Sequence, residues 1–302
     1  MGITFIVQLK PESKQLVDWL KAMIDTHAHL NFAPLLDQVE TIVARSRQRG
    51  LAGIIVASSN LTDSAQALDL AQRYPGFLWA SVGIHPQQTD PDNQMTVAAQ
   101  LAKLDQLLLA AIKKKKEHLV VAIGECGLDF GPVGPGEVGR SRQEQEALFR
   151  GQIKLAFKYG LPLMIHARKA NDEVIEVLEG EIRSLCSLKL EIKNSLRGVF
   201  HCYSGGKKRI ERILSLPGEW YFGFDGNLTY DQGLVNVLKL VPKERVLLET
   251  DAPFLAPEPY RGQTCYPYYL PLIAQKVAEI WKKPVDWVAQ LTSQNTQRCF
   301  FR

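Results

Sequence analysis

Residues 161–182 read LPLMIHARKANDEVIEVLEGEI: an aliphatic run, a polar cluster opening on His166, then an amphipathic stretch from 170 to 182. The aliphatic run shows no polar alternation, the pattern of a strand covered on both faces, and the helix after it suits a parallel sheet. The same order of run, polar cluster and helix recurs on either side. Eight runs stand at Met23–Thr26, Gly53–Ala57, Phe77–Gly83, Leu119–Ile123, Leu161–Ile165, Gly198–Phe200, Trp220–Phe224 and Val246–Glu249. Helical segments are predicted between them at 34–49, 62–73, 94–113, 141–159, 170–182, 205–216, 231–240 and 268–282. Eight repeats favour a closed TIM-type (β/α)8 barrel, an α/β fold in a single domain, over an open sheet. An additional C-terminal helix near Val285–Phe301 is expected to pack against it.

The 302-residue length accommodates one such barrel. A net charge of +4 permits a nucleic-acid partner without arguing for one, since dedicated phosphate binders concentrate Lys and Arg locally. Five cysteines with no CxxC spacing do not read as a disulfide framework and point to a reducing cytoplasm. No apolar run approaches the roughly 20 residues of a membrane span. Residues 1–22 lack the long apolar region of a secretory signal and are expected to be an N-terminal extension or a misplaced start, leaving 23–302 as the barrel. No linker divides the chain. The Gly/Pro-rich GPVGPGEVG at 131–139 and the span Arg183–Arg197 read as surface loops, and Lys113–Lys116 as a solvated helix end.

The motif that carries most chemistry is Asp25-Thr26-His27-Ala28-His29. Alternation along a strand would put Asp25, His27 and His29 on one face, where two imidazoles grip one metal ion. Taken alone, the pair reads more readily as two buried histidines bonded to backbone carbonyls than as a metal site. Its company decides: of six histidines, His27, His29, His85, His166 and His201 lie at or just past a predicted strand end, and only His118 does not. In a barrel those ends open onto one face, where active sites lie. Glu125 after VVAIG and Asp251 after VLLET add carboxylates there. A carboxylate can bridge two cations about 4 Å apart, so the set His27, His29, Glu125, His166, His201 and Asp251 reads as a two-metal centre. Glu249 shares the face of Asp251 and is expected to orient a histidine or water, or to serve as a buried structural acid. Asp25 invites the same two readings.

The ordered series DTHAHL, GIHP, GECGLDF, IHAR, HCYSGG and ETDAPFLAPEPYRG resembles the TatD family of metal-dependent nucleases in the amidohydrolase superfamily, from about Met23 to Phe300. The resemblance implies that His27, His29, Glu125 and Asp251 bind one divalent ion and that Glu125 bridges to a second held with His166 and His201. It implies magnesium, manganese or zinc, and 3′-5′ exonuclease action on DNA. RNA and D-aminoacyl-tRNA are the alternative substrates, and a non-catalytic metal-binding protein is the remaining reading. Catalysis would fall to Asp251 and Glu125, with Asp251 taking a proton from a metal-activated water. His85, Arg168 and Ser204 are the expected substrate contacts: Arg168 through its planar fork, Ser204 through the turn that opens a helix N-terminus. Asp129 is expected to position Arg168 or a loop. No membrane partner is expected, and a monomer is the favoured state. The chain departs from the family at Asp225, where Ser or Asn is usual, adding negative charge near the mouth. It departs again at Thr264-Cys265-Tyr266-Pro267, in a loop expected near the substrate entrance, where the family reads Arg-Asn-Glu-Pro.

Overall fold

The computed structural model describes residues 23–89, 95–114, 116–133, 139–187 and 196–301. The expected extension 1–22 lies outside them, as do parts of both expected loops, 134–138 and 188–195. Eight parallel strands run β1 (Met23–Ala28), β2 (Leu51–Val56), β3 (Leu78–Val82), β4 (Val120–Asp129), β5 (Leu163–Arg168), β6 (Arg197–Phe200), β7 (Glu219–Phe224) and β8 (Val246–Leu248), paired in sequence order. The chain just past β8 closes the ring: Asp251 N–H donates to the His27 carbonyl at 2.9 Å and His29 N–H to the Ala252 carbonyl at 2.7 Å. The helices are α1 (Val39–Gln48), α2 (Leu61–Arg73), α3 (Val97–Lys113), α4 (Arg142–Tyr159), α5 (Asn171–Ser187), α6 (Lys207–Ser215), α7 (Gln232–Leu240), α8 (Leu270–Trp281) and α9 (Val285–Phe300). This is the TIM barrel expected from the alternating pattern. The span from Arg183 is corrected in part: α5 keeps its apolar spacing through Leu185 and absorbs residues to Ser187.

The apolar residues fall into two layers, as strand alternation requires. Ile54, Val56, Leu163, Ile165 and Phe222 face outward onto the helices. Ile24, Ile55, Val121, Met164, Val199, Tyr221 and Leu247 form a second cluster that fills the barrel, closed off by Cys299 and Phe300 of α9. The C-terminal helix therefore plugs the end of the barrel opposite the strand C-termini. Helix starts are locally encoded: Ser141 and Glu144 form a reciprocal capping box on α4, and Asn60 and Thr96 cap α2 and α3.

Two local expectations fail on register. Asp25 pairs with Ile54 of the outer layer, and the β1–β2 register breaks between Asp25 and Ala28. Regular alternation therefore stops there, and Asp25 does not share the face of His27 and His29. Its carboxylate instead accepts from Thr250 N–H at 3.0 Å and Thr250 Oγ at 2.6 Å, tying β1 to the turn after β8. Glu125 is not at a strand end either. The β4–β5 ladder shifts register between Ile123 and Cys126 and then continues, with Gly127 opposite His166 and Asp129 opposite Arg168. Polar side chains that look like a loop in sequence are thus held on paired backbone.

Candidate metal centre

A cavity of about 910 Å³ opens at the C-terminal ends of the strands, lined by His29, His85, Glu125, Asp129, His166, Arg168, His201, Ser204 and Asp251 among others. His27 lies beneath it, fully buried. All nine residues expected in the site are therefore brought together, while His118 sits before β4 at the other end of the barrel.

The donors form two sets that share Glu125. In the first, His27 Nε2 and His29 Nε2 lie 3.1 Å apart. Glu125 Oε2 is 3.6 Å from each, and Asp251 Oδ1 is 3.4 and 3.5 Å from them. Around an ion with ligand bonds of about 2.1 Å, the edges of a tetrahedron are about 3.4 Å, so these separations match a single cation. In the second set the other oxygen, Glu125 Oε1, is 2.6 Å from His166 Nδ1 and 2.7 Å from His201 Nε2, with His166 Nδ1 and His201 Nε2 3.1 Å apart. These shorter separations are hydrogen-bonding distances. His85 Nε2 stands 3.8 Å from Glu125 Oε1, and its ring packs edge-to-face on His166. His85, Glu125 and His166 present ligand atoms close enough to share an ion, as do His27, His29 and Glu125.

The electrostatics divide the imidazoles around the one carboxylate: His27 and His85 are held neutral, whereas the charges of Glu125 and Asp129 favour the protonated forms of His166 and His201. Burial, reinforced by neighbouring His201, holds His27 well below the ordinary histidine range, leaving the lone pair of one ring nitrogen free. His85 is driven down to about 3 by burial and by His166. Burial alone would raise Glu125, but His201 and His85 beside it win and keep it ionised. Burial would also lower His201, yet the Glu125 charge outweighs it and pushes His201 up to about 10. Buried Nδ1 atoms of His27, His29 and His201 find no hydrogen-bond partner among the described residues.

Supporting groups were only partly foreseen. Asp129 holds Arg168 as expected, accepting from its Nε at 2.9 Å, and holds its own loop through Gly131 N–H at 2.8 Å. It also meets His166 Nε2 through Oδ2 at 3.1 Å, a contact visible only once β4 and β5 are in register. Arg168 further donates to the Pro132 carbonyl, leaving a half-exposed guanidinium edge toward the cavity. Glu249, fully buried, accepts from Cys202 N–H and lies 3.9 Å from His201 Nδ1, so it fixes the loop after β6 rather than bonding the imidazole directly. Ser204 is exposed on the cavity wall and Gly206, not Ser204, precedes the first turn of α6.

The departures at 225 and 264–267 are corrected. Asp225 is buried, caps Asn227 N–H at 2.7 Å and takes a hydrogen bond from the Cys202 thiol, so its charge does not face the mouth. Cys265 is fully buried, its N–H bonded to the Pro253 carbonyl at 2.9 Å, and none of residues 264–267 lines the cavity. That segment turns inward because it supports the 251–255 turn from below.

Among the described residues, no helix is long and apolar enough to cross a membrane. The family model described as TatD-related DNase matches residues 24–301. A protein of Edwardsiella piscicida named 3′-5′ ssDNA/RNA exonuclease TatD is 34% identical over 285 residues, covering 92% of this chain and 99% of its own. An uncharacterised metal-dependent hydrolase, YabD of Bacillus subtilis strain 168, is 30% identical over 282 residues, covering 92% of this chain and 98% of its own. The crystal structure of YJJV, a TatD homologue from Escherichia coli K12, superposes with a TM-score of 0.76 at 29% identity, over 93% of this chain and 98% of that one. With the family model matched from β1 to the end of α9, the chain belongs to the TatD-related DNase family and is a hydrolase.

Proposed function

We propose that the chain removes nucleotides from the 3′ end of single-stranded DNA, with RNA as a second substrate, by phosphodiester hydrolysis at a centre of two divalent ions. The observation that carries the proposal is the divided Glu125 carboxylate, one oxygen toward His27 and His29 and the other toward His166 and His201. His27, His29, Glu125 and Asp251 would hold one ion, and Glu125, His166 and His201 the other. The donors are mixed imidazole and carboxylate, which suit zinc or manganese, while magnesium suits the more oxygen-rich position. Bound there, such ions make hydroxide available near neutral pH and offset charge on the phosphoryl oxygens.

The chain's own groups supply the rest. Asp251, at the rim of the first set, accepts the proton of the attacking water on its carboxylate. The bond from that oxygen to phosphorus forms as the bond to the 3′ oxygen of the penultimate nucleotide breaks, and the proton passes to that leaving oxygen. Arg168, anchored by Asp129 and the Pro132 carbonyl, offers its remaining N–H groups to a non-bridging oxygen. Ser204 and His85 contact the same substrate from the cavity wall. The relatives named 3′-5′ ssDNA/RNA exonuclease support the substrate and polarity.

The test incubates the protein with end-labelled single-stranded DNA, RNA and D-aminoacyl-tRNA in magnesium, manganese or zinc, alongside Asp251→Asn and a chelated control. Expected is metal-dependent release of mononucleotides from the 3′ end, abolished by chelation and reduced at least ~100-fold in the variant, in line with loss of a general base. No degradation of DNA or RNA with any of the three metals, or release by the variant at the parent rate, refutes the proposal.

A further inference from the structure

Phe254 is the most exposed large apolar side chain among the described residues, at 49%, and it lies on the cavity wall. The ring forgoes the burial that a core position would give, and it does so on the wall of the cavity that holds the metal donors, where a ligand could cover it. The ring is also firmly placed. Phe254 N–H donates to the Asp251 carbonyl at 2.8 Å, Pro253 is pinned from below by Cys265 N–H at 2.9 Å, and Asp251 and Leu255 both take left-handed backbone angles (φ 53° and 51°). Non-glycine residues persist in that region only where surrounding structure enforces it, which is the behaviour of a preorganised site. The ring meets the His29 imidazole edge-to-face at 6.0 Å, so it stands directly beside the first donor set. Phe32 also stacks on this histidine, with ring centres 4.5 Å apart, holding the imidazole against which Phe254 leans. Arg168 and Lys169, both exposed, line another part of the same cavity.

An aromatic face and a cationic edge in one cavity, with the metal donors among them, complement a molecule that carries a flat π surface and an anion a few bonds apart. We infer that Phe254 is the platform on which the terminal nucleobase of the substrate stacks while its phosphodiester lies over Glu125 and Asp251. Stacking of this kind accepts any base, because every base has a π face, but it needs a face not already covered. The terminal base of a duplex is held by its pairing partner and by its inner neighbour, and cannot turn onto the ring without breaking that pair. An unpaired end base is free to turn onto the ring, so Phe254 selects single-stranded ends. The inference rests on the phosphodiesterase reading and specifies how that site chooses its substrate.

The experiment compares two otherwise identical oligonucleotides, one ending in thymidine and one in an abasic tetrahydrofuran residue at the 3′ end. The parent is expected to show a KM lower for the thymidine end by about 5- to 150-fold, the range that one base–aromatic stack supplies. In Phe254→Ala this discrimination collapses toward onefold, and in Phe254→Trp it is kept. A second readout is independent of turnover: terminal 2-aminopurine fluorescence is quenched on binding to the parent and to Phe254→Trp, and the quench is lost in Phe254→Ala. Equal KM values for the two ends in the parent, or a discrimination that survives in Phe254→Ala, overturns the inference. If neither oligonucleotide is cleaved by the parent, the phosphodiesterase reading fails by itself, and the quench still decides whether Phe254 stacks a base.

Discussion

Replacing Asp129 with asparagine changes one atom in a carboxylate that makes three contacts, and the structure says which of them gives way. Oδ1 accepts two donors, Arg168 Nε at 2.9 Å and Gly131 N–H at 2.8 Å, whereas Oδ2 faces His166 Nε2 alone at 3.1 Å. An amide has one oxygen, and two donors hold it more strongly than one. In Asp129→Asn the amide oxygen therefore stays with Arg168 and Gly131, and the NH2 turns to His166. When the parent takes up a cation beside Glu125, His166 keeps its Nε2 proton on Asp129 and gives up the Nδ1 proton that otherwise bonds Glu125, so the Nδ1 lone pair is free to ligate. In the variant Nε2 must accept, the proton moves to Nδ1, and that atom can no longer ligate a cation. Loss of such an orienting partner costs about 10- to 100-fold in metal affinity, equivalent to about 1.4–2.8 kcal/mol. The first donor set makes no hydrogen bond to Asp129, so only one of two sites should weaken. Calorimetric titration of manganese into the metal-free protein reads this as two binding steps, one unchanged and one shifted. Circular dichroism melts confirm that the fold is retained. A variant that takes up both equivalents with parental affinity would refute the assigned tautomer and with it the role of His166.

Two further outcomes follow from the packing. Gly127 has φ 139°, and an added Cβ would sit 2.0 Å from the His166 carbonyl oxygen, so Gly127→Ala is expected to destabilise the fold by about 3 kcal/mol or more, measured by urea unfolding; a loss under about 1 kcal/mol would contradict the tight β4–β5 approach. Burial drives Asp25 from 3.8 up to about 7, against the opposing hydrogen bonds from Thr250. The folded state then holds a proton that the unfolded state has lost between about pH 4 and pH 7, so this group makes the metal-free protein less stable as pH rises through that window, and the deficit stays constant above it. Asp25→Asn should remove a slope approaching ~1.4 kcal/mol per pH unit there, and parallel stability–pH profiles for parent and variant would count against it.

Most of the barrel was legible because its signal is local. Each strand is a short aliphatic run followed by a helical period, and the observed helices from α1 to α9 fall within a few residues of the expected ones. The six residues expected as ligands gather by the same logic, since histidines placed past strand ends point to one face of a barrel. What escaped was set by partners far away in the chain. Asp129 reaches His166 only because β4 and β5 pair beyond the residues that look like a loop. Asp25 leaves the face of His27 because the β1–β2 register breaks within the motif. The direction of Asp225 and of residues 264–267 depends on what lies under the 251–255 turn, which periodicity does not encode. Phe254 carried a weak cue, an aromatic residue in a proline turn three positions after Asp251, but its exposure shows only in three dimensions.

The central claim is that Glu125 joins two cation sites. Crystals equilibrated with manganese and measured at its absorption edge test this without reference to any substrate. The account predicts two anomalous peaks on either side of the Glu125 carboxylate, one among His27, His29 and Asp251 and the other beside His166 and His201. A single peak, or a pair in which Glu125 touches only one ion, would contradict it.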